Sequence, residues 1–121
     1  MLERVEPRGF WQSVTGSLRG DEAPAEAAER EVREETGINP AGLLDAHEQR
    51  RFRIAPEWRH RYAPDVTENL EHWFYLCVPA GSNVTLSSAE HCQFRWLELD
   101  AAAELASSWT NREAIEALRQ P

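Results

Sequence analysis

Glu31, Glu34 and Glu35 stand at i, i+3 and i+4, the spacing that gathers side chains on one face of a helix. Left to themselves, like charges at i,i+4 destabilise a helix by roughly 0.2–0.5 kcal/mol. All three also fall toward the C-terminal end of their segment, where the helix dipole disfavours anions. Arg30 and Arg33 offset part of that repulsion, so a solvated charged face is one reading. The sharper reading is a hard divalent cation that holds the carboxylates together. Mg²⁺ takes oxygen ligands from a few carboxylates and completes its shell with substrate phosphates.

The elements that must position these carboxylates are a glycine-bearing loop from Gly16 to Glu22, a helix, and a glycine stop at Gly37. Pro24 suits the first helical turn, and Asp21 and Glu22 favour its positive end. Ala25, Ala28, Val32 and Thr36 recur at helical spacing and predict a mildly apolar stripe on a face other than that of the glutamates.

Gly16, Glu22, Arg30-Glu31-Val32, Glu34-Glu35 and Gly37-Ile38 together resemble the Nudix box at every one of its defined positions. The resemblance implies an α+β Nudix fold, with a mixed β-sheet sandwiched between α-helices and a loop–helix–loop that holds Mg²⁺, or Mn²⁺, to cleave a substituted diphosphate. It further implies that Glu31, Glu34 and Glu35 bind metal, that Arg30 orients the first of them, and that Glu22 supports the loop. The Thr15 carbonyl, just before the box, is expected to join the metal shell. Glu90, in Glu90-His91 followed by Arg95-Trp96-Leu97, is expected to reach the site from a loop, as a ligand or as the base for the attacking water. His91 is a second candidate base, though imidazole is not needed where a metal acidifies water.

Outside the box, three blocks are similar to the branch of the family that hydrolyses dihydroneopterin triphosphate: Phe10 to Ser17, His60 to Leu76, and Ser108 to Glu116. By that resemblance the products are dihydroneopterin monophosphate and pyrophosphate, on the way to folate, and Arg4, Thr15 and Ser108 border the substrate. Alternatives are a house-cleaning hydrolase of dATP or oxidised purine triphosphates, and a non-catalytic Nudix binding module. In the family a strand precedes the box and starts well upstream. The expectation is therefore a single domain over residues 1–121 whose N-terminal strand lies outside this chain, through a misassigned start or a truncation. The other reading is a short member that covers the gap by dimerising.

The chain has 121 residues and a net charge of −8, which argues against a basic nucleic-acid surface. An acidic protein still handles polyphosphate when metal ions supply the positive charge locally. Its small-molecule substrate, with no nucleic acid or membrane partner, is expected to be met as a monomer or homodimer. Cys77 and Cys92 are too few for a disulfide framework or a zinc site and read as buried thiols. No apolar run reaches membrane-spanning length and no signal peptide opens the chain, so a cytoplasmic location is the default.

Elsewhere the sequence predicts a half-buried strand over Phe10–Gly16, one or two strands within Leu43–Arg53, and a buried strand over Trp73–Val78. Short strands are expected at Val84–Leu86 and Phe94–Leu97. Two helical pieces carrying Leu105, Trp109, Ile115 and Leu118 split near Ser107-Ser108. Thr110 is placed as the cap of the second piece, with Glu113 completing a capping box. Arg50 to Arg53 and Trp58 to Tyr62 are basic and aromatic in an acidic chain. They suit either a wall for phosphates and a planar ring or a solvated loop.

Overall fold

The computed structural model describes residues 1–119. In chain order the elements are β1 (Leu2–Arg4), β2 (Trp11–Gln12), α1 (Pro24–Thr36), β3 (Leu44–Arg53), a 3-10 turn (Pro56–Arg61), β4 (Glu68–Tyr75), β5 (His91–Phe94), α2 (Leu99–Leu105) and α3 (Trp109–Ala117). The described strands form two antiparallel sheets, one ordered β2-β1-β5 and the other pairing β3 with β4.

β1 is the central strand of the first sheet. Leu2 faces Gln12 on one side and Phe94 on the other, and Arg4 faces His91. The register slips between Glu3 and Arg4, which turns Arg4 out of line with its own strand. In the second sheet the register slips between Asp45 and Gln49, where His47 takes the left-handed conformation at φ 54°. β3 is thus one long strand with a kink rather than two.

The closing helices are stitched to β2 by main-chain and side-chain hydrogen bonds. Trp11 N–H donates to Ser107 Oγ (2.9 Å), and its carbonyl accepts from Ser107 N–H (3.0 Å). Ser13 N–H donates to Asn111 Oδ1 (2.7 Å), and Asn111 Nδ2 donates back to Ser13 Oγ (2.8 Å). Within the helix pair, Ala103, Ala106 and Ile115 form a small apolar core, with Met1 and Ala102 against it. α3 also anchors the second sheet, because Tyr75 Oη donates to the Ala114 carbonyl at 2.7 Å.

Several local expectations are corrected. The strand leading into the box shrinks to Trp11–Gln12, because the residues after it bond to α3 instead of to a neighbouring strand. β4 begins earlier than the apolar run and ends at Tyr75. Val84–Leu86 forms no strand; Thr85 N–H instead donates to the Thr36 carbonyl at 2.8 Å and ties this loop to the end of α1. β5 ends at Phe94, where the predicted strand was to start, and leaves Trp96 exposed. The N-cap of α3 is Ser108, whose Oγ accepts from Asn111 N–H at 3.1 Å. Thr110 turns inward toward Glu71. Trp109 and Leu118 face outward, as do both cysteines.

Asn111 is buried and bridges the last helix to the strand before the box. Asn111→Ala strands the Ser13 amide and is expected to cost about 1–3 kcal/mol, the penalty of an unmade buried hydrogen bond. Denaturant unfolding checks this, and an unchanged midpoint would show that the bridge is not structural.

Candidate active site

α1 starts at Pro24, and the Ala23 N–H just before it is satisfied by Glu26 Oε1 at 3.1 Å. It ends at Gly37, whose φ of 71° is left-handed and whose N–H donates to the Arg33 carbonyl at 3.0 Å. A side chain at Gly37 would also press on Thr85. Of the predicted apolar stripe only Thr36 is buried; Ala28 and Val32 are half-buried and Ala25 is exposed. The buried residues are Ala27, Glu31, Glu35 and Thr36, so two of the three carboxylates point into the protein.

Arg30 binds the loop to the helix. Its Nε and Nη2 grip both oxygens of Glu22 at 2.8 Å, Nη2 also donates to the Ser17 carbonyl (2.8 Å), and Nη1 donates to Glu31 (2.5 Å) and Glu34 (3.4 Å). This bidentate fork pulls the Glu22 carboxyl down to about 2. Glu22 thus serves the loop through Arg30 and the Arg19 amide, rather than the helix dipole. Gly16 passes directly over Glu31: a Cβ there would lie 2.1 to 2.3 Å from the Glu31 side chain. That close approach is why the position holds glycine.

Glu35 is the most deeply placed of the three, only 1% exposed. Among the described residues neither of its carboxylate oxygens has a hydrogen-bond partner. Burial first, then the carboxylates of Glu31 and Glu90, push its pKa well above the carboxylate range, while the Thr15 main chain works in the opposite direction. Glu90 comes from the turn before β5, and one ligand atom each from Glu35, Glu90 and His91 lie within 4.8 Å of one another. His91 is buried; its Nε2 lies 3.0 Å from Gln12 Nε2 and 3.7 Å from Glu35 Oε1. Burial, then the charge of Arg4, lower its pKa.

Glu35 and Glu90 are brought together with His91, and Glu31 and the Thr15 main chain lie close enough to Glu35 to act on it. Glu34 is not among them: it stands at the rim, 42% exposed in its side chain and 3.2 Å from Arg19. Ser108 is engaged as a helix cap. Gln12 also lies in the site; the sequence placed it within the Phe10–Ser17 block but gave it no role of its own. Two buried oxygens without donors, beside two further carboxylates, fit a hard divalent cation. Each such orphaned group costs about 1–3 kcal/mol until something satisfies it.

The family model for the NUDIX domain matches residues 1–118, and the chain belongs to that family. It is an α+β Nudix hydrolase domain with antiparallel sheets and three helices. The chain is 44% identical to the dihydroneopterin triphosphate diphosphatase of Escherichia coli K12, over 96% of this chain and 79% of that one. It is 40% identical to the enzyme of the same name in Haemophilus influenzae, over 96% and 75%. The solved structure of the E. coli dihydroneopterin triphosphate pyrophosphohydrolase superposes with a TM-score of 0.91, covering 97% of this chain and 82% of that one. Nudix hydrolases generally use divalent metal ions, and the acidic cluster is suited to one. Among the described residues no helix is long and apolar enough to cross a membrane.

A carboxyl held protonated by the fold more tightly than by the unfolded chain loses the fold stability as pH rises. Metal-free protein is therefore expected to lose melting temperature from its ordinary value of 4.5 up through the raised value of Glu35. Thermal melts in chelator check this: Glu35→Gln should flatten the decline, and an unchanged slope in that variant would exclude Glu35 as its source. Gly16→Ala should displace Glu31 and weaken Mg²⁺ binding about tenfold or more, read by calorimetric titration; wild-type affinity would show that the close approach is dispensable.

Proposed function

We propose that this chain hydrolyses dihydroneopterin triphosphate to dihydroneopterin monophosphate and pyrophosphate, with Mg²⁺ as the working ion. The observation that carries the reading is the 44% identity to the E. coli enzyme across 96% of the chain, well beyond the box. The box itself would be shared with hydrolases of many diphosphates. The blocks outside it support the pterin substrate over a purine one.

Glu31, Glu35 and Glu90 would hold the metal, with the Thr15 carbonyl, and Glu34 would join from the rim once Arg19 releases it. A bound divalent ion would supply charge neutralisation on the phosphate oxygens. The rest is the work of this chain. Arg30, anchored by its fork on Glu22, holds Glu31 through Nη1, so that this carboxylate meets the substrate already oriented. Gly16 lets the loop main chain approach closely. The buried surroundings of Glu35 keep bulk water from competing for its oxygens. A carboxylate near the cluster, Glu90 or Glu34, takes the proton from the attacking water, and the diphosphate leaves. Arg4, Thr15 and Ser108 border the substrate in this reading. The whole chain acts as one domain on a soluble small molecule in the cytoplasm.

Glu35→Gln is expected to lower Mg²⁺-dependent pyrophosphate release by about 10²-fold or more, as loss of a metal-holding carboxylate does. Circular dichroism and gel filtration should show an unchanged fold. Near-wild-type turnover would refute the assignment. Parallel turnover of dihydroneopterin triphosphate, dATP and 8-oxo-dGTP fixes the substrate: kcat/KM is expected to favour the pterin, and a preference for either purine would overturn that choice.

A further inference from the structure

Three buried polar side chains meet behind the acidic cluster: Gln12 is 7% exposed, His91 2% and Glu35 1%. Gln12 lies on β2 and His91 on β5, the two strands that flank β1, so their contact bridges the middle strand. Main-chain bonds fix the His91 end, for the N–H groups of Glu90 and His91 both donate to the Ser87 carbonyl at 2.9 Å. Among the described residues, neither oxygen of Glu35 has a hydrogen-bond partner, and His91 Nδ1 has none either. A buried polar network left half satisfied is worse for stability than an apolar one. Its place beside the cluster points to a use.

That use turns on which ring nitrogen of His91 carries the proton. Nε2 lies 3.0 Å from the Gln12 amide and 3.7 Å from Glu35 Oε1, whereas Nδ1 bonds to neither. With the proton on Nδ1 alone, a buried N–H has no acceptor and a bare Nε2 lone pair looks at a carboxylate. With the proton on Nε2, the N–H dipole points toward Glu35, which is gathered with Glu90 in the same place. Negative charge favours a proton on the nitrogen nearest to it, so the cluster selects the second arrangement.

Gln12 completes that arrangement. A terminal amide is oriented by its partners, and its oxygen accepts from Nε2–H where its nitrogen would oppose it. The 3.7 Å between Nε2 and Glu35 is longer than a hydrogen bond, and the N–H acts there as an oriented dipole.

We propose that His91 carries its proton on Nε2, held there by Gln12, and that the pair orients the Glu35 carboxylate for the cation. Gln12 and His91 are positioning residues, acting through Glu35. An imidazole whose N–H faces the cluster has no lone pair there for the attacking water, so His91 is not the base. This rests on the divalent-ion reading of the cluster, but not on the pterin, because it concerns Glu35 before any substrate arrives.

Long-range ¹H–¹⁵N correlation spectra of the metal-free full chain identify the protonated ring nitrogen, since protonated and bare nitrogens resonate far apart. The His91 signals are assigned by their loss in His91→Phe, and the expected wild-type pattern is Nε2–H. Gln12→Leu removes the acceptor and should raise the share of Nδ1–H. Gln12→Glu keeps an acceptor and should keep the wild-type pattern.

Calorimetric Mg²⁺ titration reads the consequence. His91→Phe and Gln12→Leu should each weaken Mg²⁺ binding about tenfold or more, as loss of a support behind a metal-holding group does. Each single variant strands the other partner, so its melting temperature in chelator should fall. The double variant, Gln12→Leu with His91→Phe, removes both polar groups together and should recover much of that stability. Its Mg²⁺ affinity should stay low. At saturating Mg²⁺ its KM for the triphosphate should match the wild type, while the Mg²⁺ concentration for half-maximal rate rises.

An Nδ1–H pattern in the wild-type chain would overturn the proposal. Wild-type Mg²⁺ affinity in the double variant would also overturn it, leaving the pair a purely structural role. A wild-type chain that binds no Mg²⁺ would instead overturn the divalent-ion reading on which the proposal rests.

Discussion

The burial of Glu35 is the constraint around which the rest is arranged. A carboxylate with no donor of its own is tolerated inside a small protein only if the fold supplies a use for it. α1 turns its acidic face inward, the loop from Gly16 lies over Glu31, and the turn before β5 brings Glu90 and His91 to the same place. The apolar core that holds these parts is small, with Ala103, Ala106 and Ile115 at its centre. Much of the interior is polar instead, and its stability comes from pairing: Arg30 with Glu22 and Glu31, and Asn111 with Ser13.

That economy explains which parts of the protein were legible from sequence. α1 has the bounds its cap signals predicted, because Pro24 and Gly37 act locally and need no tertiary partner. The Nudix class was legible because its box is long and has many fixed positions, and the family match bears it out. The split between α2 and α3 was legible for a similar reason, since Ser107 and Ser108 interrupt the helical pattern on their own.

What could not be read depended on distant partners. The glutamate face of α1 was legible as a metal face, but nothing in the periodicity showed that Glu31 and Glu35 would be buried and Glu34 left exposed. Phe10–Gly16 had strand-like alternation, yet Ser13 found α3 before it could find a strand. Val84–Leu86 likewise bonded to the end of α1. The cysteines, read as core from their apolar neighbours, lie on the outside. The stretch around Trp58 suited either a ring-stacking wall or a solvated loop, and only the structure brings the guanidinium groups of Arg4 and Arg61 onto that indole.

The long-range ties between β2 and the closing helices carry a consequence for the order in which the molecule comes together. Ser107 bonds to Trp11 across 96 positions of sequence, and Asn111 to Ser13 across 98. β1, which β2 flanks, has β5 as its other neighbour, drawn from the far end of the chain. Closing loops of that size carries an entropy cost that must be met before the contacts give anything back. During synthesis the α1 segment leaves the ribosome first, and Glu90 and the strand that carries His91 emerge much later. A partly made chain therefore carries the signature motif before Glu90 and His91 have joined it.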